Sequence, residues 1–124
     1  MYLDGNAGEQ WIYRGANAEC GPFDTVHDTT KIDASVAADW QFRFTIFDAN
    51  GQKVISYLMQ NVRWHAQVDT RFWIQLSVQQ TLQIEDLEGD ELYYELFAEK
   101  VGDETIRHPL AGNTIQLRNL IQWE

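Results

Sequence analysis

Between Leu92 and Glu99 the side chains alternate with a period of two. Leu92, Tyr94, Leu96 and Ala98 share one face, and Tyr93, Glu95, Phe97 and Glu99 share the other. That period belongs to a strand with one face in a core. Val101-Gly102-Asp103-Glu104 follows as a tight connection in which Gly102 can take a positive φ. Ile106 and Leu110 then resume the apolar face, and Ile115 and Leu117 repeat it beyond Gly112. A hairpin cannot bury such a face alone, so the rest of the chain must supply an opposite layer.

Upstream the same logic recurs. Glu9 to Gly15 is a short strand candidate closed by glycine, and Ala16 to Thr30, with Gly21, Pro22 and several Asp and Thr residues, reads as a long irregular loop. Lys31 to Val36 is a further strand candidate. Trp40, Phe42, Phe44 and Ile46 mark a clearer one, which Asp48-Ala49-Asn50-Gly51 ends as a turn. Gln52 to Leu58 returns beside it. Asn61 to Asp69 alternates with Val62, Trp64, Ala66 and Val68 inward, and Phe72, Ile74, Leu76 and Val78 form the next inward face. Gln79 to Glu88 lacks alternation and suits one short helical turn. Pro109 cannot donate to a ladder, which places its strand at an edge or a bulge. The sum is an all-β chain, a single β-sandwich domain of about eight strands, immunoglobulin-like or jelly-roll-like, with a long N-terminal loop and at most one short helix. Residues 9–124 form the sandwich and residues 1–8 an N-terminal arm.

The length of 124 residues fits one domain, and an apolar content of 44% is enough for a core. The formal charge of −10 repels nucleic acid, and the nine Lys and Arg residues are scattered without a phosphate footprint. Cys20 is the single cysteine, so no intrachain disulfide forms, which suits a reducing cytosol. The start, MYLDGNAGEQ, lacks the basic and apolar regions of a signal peptide, and no run approaches the ~20 apolar residues of a membrane helix. The expected protein is soluble, with neither a nucleic-acid nor a membrane partner.

The search for chemistry returns no phosphate-binding loop, nucleophile elbow or zinc-protease motif. His27, His65 and His108 are dispersed, and His27-Asp28 has no third group to complete a catalytic set. The acidic run Glu85, Asp86, Glu88, Asp90, Glu91 lacks the spacing of a calcium loop and reads as a solvated face. No catalytic, metal or cofactor residues are assigned, and an enzyme is not expected.

Trp73, Tyr93 and Phe97 fall on the faces opposite the core faces of their strands. Such an exposed aromatic face can be covered by the Ala16–Thr30 loop, meet another subunit, or stack sugars. Tyr2 and Leu3 at one end, and Leu120, Ile121 and Trp123 at the other, are apolar residues in positions suited to clasping a neighbouring subunit, although the bland reading of the N-terminal pair is a frayed end.

Asp48-Ala49-Asn50-Gly51 after a strand, the central Asn61-Val62-Arg63-Trp64-His65-Ala66-Gln67-Val68, and the closing Leu92-Tyr93-Tyr94-Glu95-Leu96 … Gly102-Asp103 … Leu110-Ala111-Gly112-Asn113-Thr114-Ile115 form one pattern. Over roughly Gln41 to Leu117 it resembles the small β-sandwich structural proteins of tailed bacteriophages, especially tail, baseplate and fibre-attachment modules. The long Ala16–Thr30 insertion departs from that pattern. The resemblance implies a virion structural protein, assembled in the host cytoplasm, whose partners are other virion proteins and copies of itself. It implies Tyr2, Leu3, Leu120, Ile121 and Trp123 as subunit contacts. The alternatives are a capsid cement or decoration protein, and a carbohydrate-binding module for host attachment that would use Trp73, Tyr93 or Phe97.

Overall fold

The computed structural model of the chain describes residues 8–25, 32–60, 62–84 and 91–119. Its strands in chain order are β1 (Gln10–Arg14), β2 (Ala18–Asp24), β3 (Trp40–Phe47), β4 (Lys53–Met59), β5 (Arg63–Trp64), β6 (Arg71–Leu76), β7 (Leu92–Lys100) and β8 (Asp103–Asn119). A 3-10 helix, Ala34–Asp39, precedes β3, and one short helix, α1 (Val78–Leu82), follows β6.

The strands form a five-stranded sheet, β1-β8-β7-β3-β4, and a three-stranded sheet, β2-β6-β5. β2, β6 and β5 occupy the places of strands B, E and D of an immunoglobulin-like sandwich. β3, β7 and β8 occupy those of C, F and G, with β4 added beside β3. Of the two arrangements the alternating pattern allows, the chain adopts the immunoglobulin-like one. All these neighbours are antiparallel except β1, which runs parallel to the second half of β8 in the register Gln10↔Ile115 to Arg14↔Asn119.

The β7–β8 hairpin forms as its alternation predicts. Leu92, Tyr94, Leu96 and Ala98 are buried, and so are Trp40, Phe42, Phe44 and Ile46 on the adjacent β3. Phe72, Ile74 and Leu76 supply the opposite layer from β6, while Val78 is exposed at the start of α1. The layers meet through aromatic rings. Phe42 lies 4.6 Å from Phe72, and Phe23 of β2 lies 6.0 Å from Tyr94 of β7.

Two turns match their sequence signals. Gly51 and Gly102 take φ of 79° and 89°, in the left-handed region that a side chain disfavours. Asp48 shapes the first of them, its Oδ1 accepting the amides of Asn50 and Gln52, both at 2.9 Å. Pro109 also sits where a missing donor is tolerated. The register steps from Leu96↔Ala111 to Phe97↔Pro109, a bulge, and β1 pairs with β8 only from Ile115 onward. That bulge buries both Leu110 and Ala111 and shifts the inward phase from even to odd positions, so that Ile115 faces the core. Ile106, near the turn, stays 39% exposed rather than joining the apolar face.

Three expectations are corrected. Most of the described part of the Ala16–Thr30 loop is strand β2, antiparallel to β6, with a bulge between Cys20 and Phe23. The Gly21-Pro22 pair that reads as a loop is this bulge, on a strand at the sheet edge where proline is tolerated. Gly21 is required there: at φ 135° an added Cβ would lie 3.0 Å from the Phe72 carbonyl oxygen and 3.0 Å from Trp73. From Ile32 to Val36 the expected Lys31–Val36 strand is not formed. Over its described residues the segment leads into the 3-10 helix, capped by Asp33, whose side chain accepts the Ser35 amide at 2.9 Å. The Asn61–Asp69 strand shrinks to Arg63–Trp64 because His65 Nδ1 accepts the amides of Gln67 and Val68, both at 3.0 Å, and turns the chain. Ala66 is consequently exposed and Val68 half-buried rather than inward.

Candidate interaction surfaces

Because side chains alternate along each strand, every inward residue leaves an outward neighbour, and the two outer faces carry the chemistry that the core does not use. Trp73 belongs to β6 of the three-stranded sheet, whereas Tyr93 and Phe97 belong to β7 of the five-stranded one. All three are half-buried and point away from the core, but they do not form one face.

On the three-stranded sheet, Arg63 faces Trp73 across the β5–β6 ladder, with its guanidinium carbon 4.0 Å from the ring centroid. His65 stacks on the same ring at 5.6 Å with an interplanar angle of 17°. Arg63 also grips Glu19 with two bonds, 2.8 and 2.7 Å, and Gln75 donates to the same carboxylate at 3.0 Å. The Arg63 hydrogen bond holds the Glu19 carboxyl below its ordinary pKa. Trp73 is therefore engaged within its own sheet, which removes most of the open aromatic plane that sugar stacking needs.

The outer face of the five-stranded sheet is larger. Trp11 and Tyr13 of β1 are 51% and 46% exposed at one edge, and Leu58 of β4 is 44% exposed at the other. Arg118 lies over Trp11 at 5.1 Å. Glu9, beside it, accepts from Gln116 and Thr114, and these bonds lower its pKa. Near the β7–β8 turn, Glu99 is outward in phase yet almost wholly buried. Arg43 and Arg107 cover it, with Nε atoms 2.7 and 3.1 Å from Oε2. Arg107 also lies 4.4 Å over Phe97.

Between these features runs an open groove of about 470 Å³. Phe47 and Asp48 at the β3–β4 turn form one wall, Tyr93, Glu95 and Phe97 run along it, and Pro109, Gly112 and Asn113 of β8 form the other side. Gly112 stands opposite Glu95 in the ladder and has no side chain to fill the space above it.

Among the described residues, the single cysteine and two of the three dispersed histidines have structural roles. Cys20 is fully buried, and burial pushes its thiol up to about 12. His65 caps the turn after β5, and His108 packs edge-on against Trp40 at 5.4 Å. Among the described residues no three His, Cys, Asp or Glu side chains are gathered to hold a metal ion, and no helix is long and apolar enough to cross a membrane. His27, Asp28, the acidic residues Glu85 to Asp90, and the proposed contacts Tyr2, Leu3, Leu120, Ile121 and Trp123 lie outside the described residues. The arginine clusters escaped sequence reading because their partners are distant in the chain. Arg43 and Glu99 are 56 residues apart, and only the β3–β7 register brings them together.

No protein-family model matches the chain, and no curated protein matches it in sequence.

Proposed function

We propose that the chain is a non-catalytic assembly domain that works by protein–protein contact, and that the assembly it joins is the virion of a tailed phage, as a tail, baseplate or fibre-attachment component. The observation that carries the first part is the outer face of the five-stranded sheet. Trp11, Tyr13 and Leu58 are exposed there, with half-buried Phe47, Tyr93 and Phe97 between them and arginines interleaved. Aromatic and arginine side chains on one surface are the composition of interface centres. The structural roles of Cys20 and His65 support a non-catalytic reading. The phage assignment rests on the sequence resemblance over Gln41 to Leu117, and in such a particle many modest contacts would add through multiplicity.

The test is assembly. Sedimentation of the purified chain should reveal a defined oligomer, or a stable complex with other particle proteins. Trp11→Ser combined with Leu58→Asp should abolish it while leaving the far-ultraviolet spectrum unchanged. Removing Leu120–Glu124 should impair incorporation into particles. A chain that stays monomeric, binds no particle protein and is absent from purified virions is not an assembly subunit. A capsid cement protein would share the sedimentation result and differ in where labelled copies appear on the particle. A carbohydrate-binding module would instead show glycan-dependent tryptophan quenching without assembly.

A further inference from the structure

Outward aromatic rings in this molecule repeatedly carry an arginine, and where the arginine has a carboxylate within reach it takes that too. Arg63 lies over Trp73 at 4.0 Å and pairs with Glu19 at 2.7 Å. Arg107 lies over Phe97 at 4.4 Å and pairs with Glu99 at 3.1 Å. Arg118 lies over Trp11 at 5.1 Å. The reason is chemical: a guanidinium is planar and weakly hydrated, so it can stack on a ring and present its edge to a carboxylate at once.

The groove on the five-stranded sheet repeats the arrangement around Glu95, which no arginine of the described residues takes; Arg107, over Phe97 at the end of the groove, is committed to Glu99. Glu95 sits between Tyr93 and Phe97 on β7, about 7 Å along the strand from each. Phe47 is the cross-strand partner of Tyr93 and closes the same end, and Asp48 adds a second carboxylate at the rim. Glu95 is exposed and makes no ion pair or hydrogen bond with any described residue. Opposite it, Gly112 leaves the space open.

We infer that this groove receives an arginine side chain from a partner protein, with its guanidinium over Glu95 and against the rings of Tyr93 and Phe47. The inference rests on the assembly reading and adds the chemistry of the partner at one site. The groove's volume of about 470 Å³ admits a side chain with its flanking backbone. A formal charge of −10 on the chain favours the approach of a cationic segment. Arginine suits the site better than lysine because an ammonium is a hydrated point charge that gains less from the ring faces.

The experiment is a nuclear magnetic resonance titration of the full chain with Nα-acetyl-arginine amide, alongside the neutral citrulline analogue and the lysine amide. Saturable shifts are expected at the amides of Tyr93, Glu95 and Gly112. Affinity should be at least about tenfold weaker for citrulline, severalfold weaker for lysine, and reduced about tenfold in Glu95→Gln. Equal response to arginine and citrulline in the wild-type chain overturns the inference without relying on any variant. So does equal binding of lysine, an undiminished response in Glu95→Gln, or no saturation at these residues. The assembly reading fails separately: a chain that assembles but binds arginine independently of Glu95 refutes only this site, whereas a chain that never assembles refutes the broader reading whatever the arginine amide does.

Discussion

The ring of Phe72 lies 4.6 Å from the ring of Phe42, and through this contact the three-stranded sheet meets the five-stranded one. Phe72 also touches Phe23 at 5.7 Å and Trp64 at 5.2 Å, so one side chain on β6 joins rings from β2, β3 and β5. Truncating it removes contacts on several sides at once and leaves a cavity that four strands cannot easily collapse.

Phe72→Ala is therefore expected to cost about 3–5 kcal/mol of unfolding free energy, near the upper range for core truncations. Phe72→Leu keeps more of the volume and should cost clearly less. Urea denaturation followed by tryptophan fluorescence measures both. Equal costs, or a cost for the alanine variant below about 1 kcal/mol, would mean that the sheets are not joined at this residue.

Glu99 supplies a second prediction, of opposite form. Its carboxylate is almost wholly buried, and Arg43 is held to it at 2.7 Å, a bond that raises the pKa of the arginine. One carboxylate oxygen, Oε1, has no hydrogen-bond partner, so the pair is already imperfectly satisfied. Arg43→Met strands much of the charge and should cost about 3 kcal/mol, whereas the double variant Arg43→Met, Glu99→Leu should recover most of that loss. A thermodynamic cycle reads the coupling. Additive effects of the two substitutions would show that the buried pair does not act as a unit.

Cys20 links stability to pH. Its thiol, buried and next to the charge of Glu19, titrates at about 12 in the folded chain against an ordinary value of 9.0. Below pH 9 both states hold the proton and the contribution is fully present. As pH rises from 9 towards 12, the unfolded chain releases the proton and the folded chain does not, so stability falls. The loss should reach about 2 kcal/mol near pH 10.5, and it should be absent from the pH slope of Cys20→Ala. Urea midpoints for the two proteins across this range provide the measurement. In the folded chain at about pH 8, thiol reagents should modify Cys20 only as fast as the protein opens.

Local chemistry made several elements legible. β3, β6 and β7 each carry an apolar face at a strict period of two, and no other conformation buries those side chains together. Gly51 and Gly102 sit at turns that demand a positive φ, and both signals lie within four residues of chain. The helix α1 also has a local signature. Ser77 and Gln80 form a capping box, each side chain meeting the other residue's amide at 3.1 and 2.8 Å.

Elements whose fate depended on distant partners were not legible. Gly21-Pro22 has the composition of a loop, yet β6 lies alongside and the segment becomes a bulged edge strand. Lys31 to Val36 has β-branched residues, but the Ala34 amide donates to the distant Asp69 carbonyl at 2.9 Å, and the described residues turn instead. Trp73, Tyr93 and Phe97 look equivalent in the sequence, and only strand order separates the first from the other two.

The amino-acid order alone thus determined that the chain would be an all-β sandwich, where its main strands and turns would fall, and which side of each clear strand would face inward. Those properties follow from backbone geometry and side-chain polarity over a few neighbouring residues. Tertiary structure decided the immunoglobulin-like strand order, the burial of Glu99 under two arginines, and the groove in which Glu95 stands between aromatic rings. Each of these depends on register between strands far apart in the chain, and a period of two is the same whichever strand lies alongside.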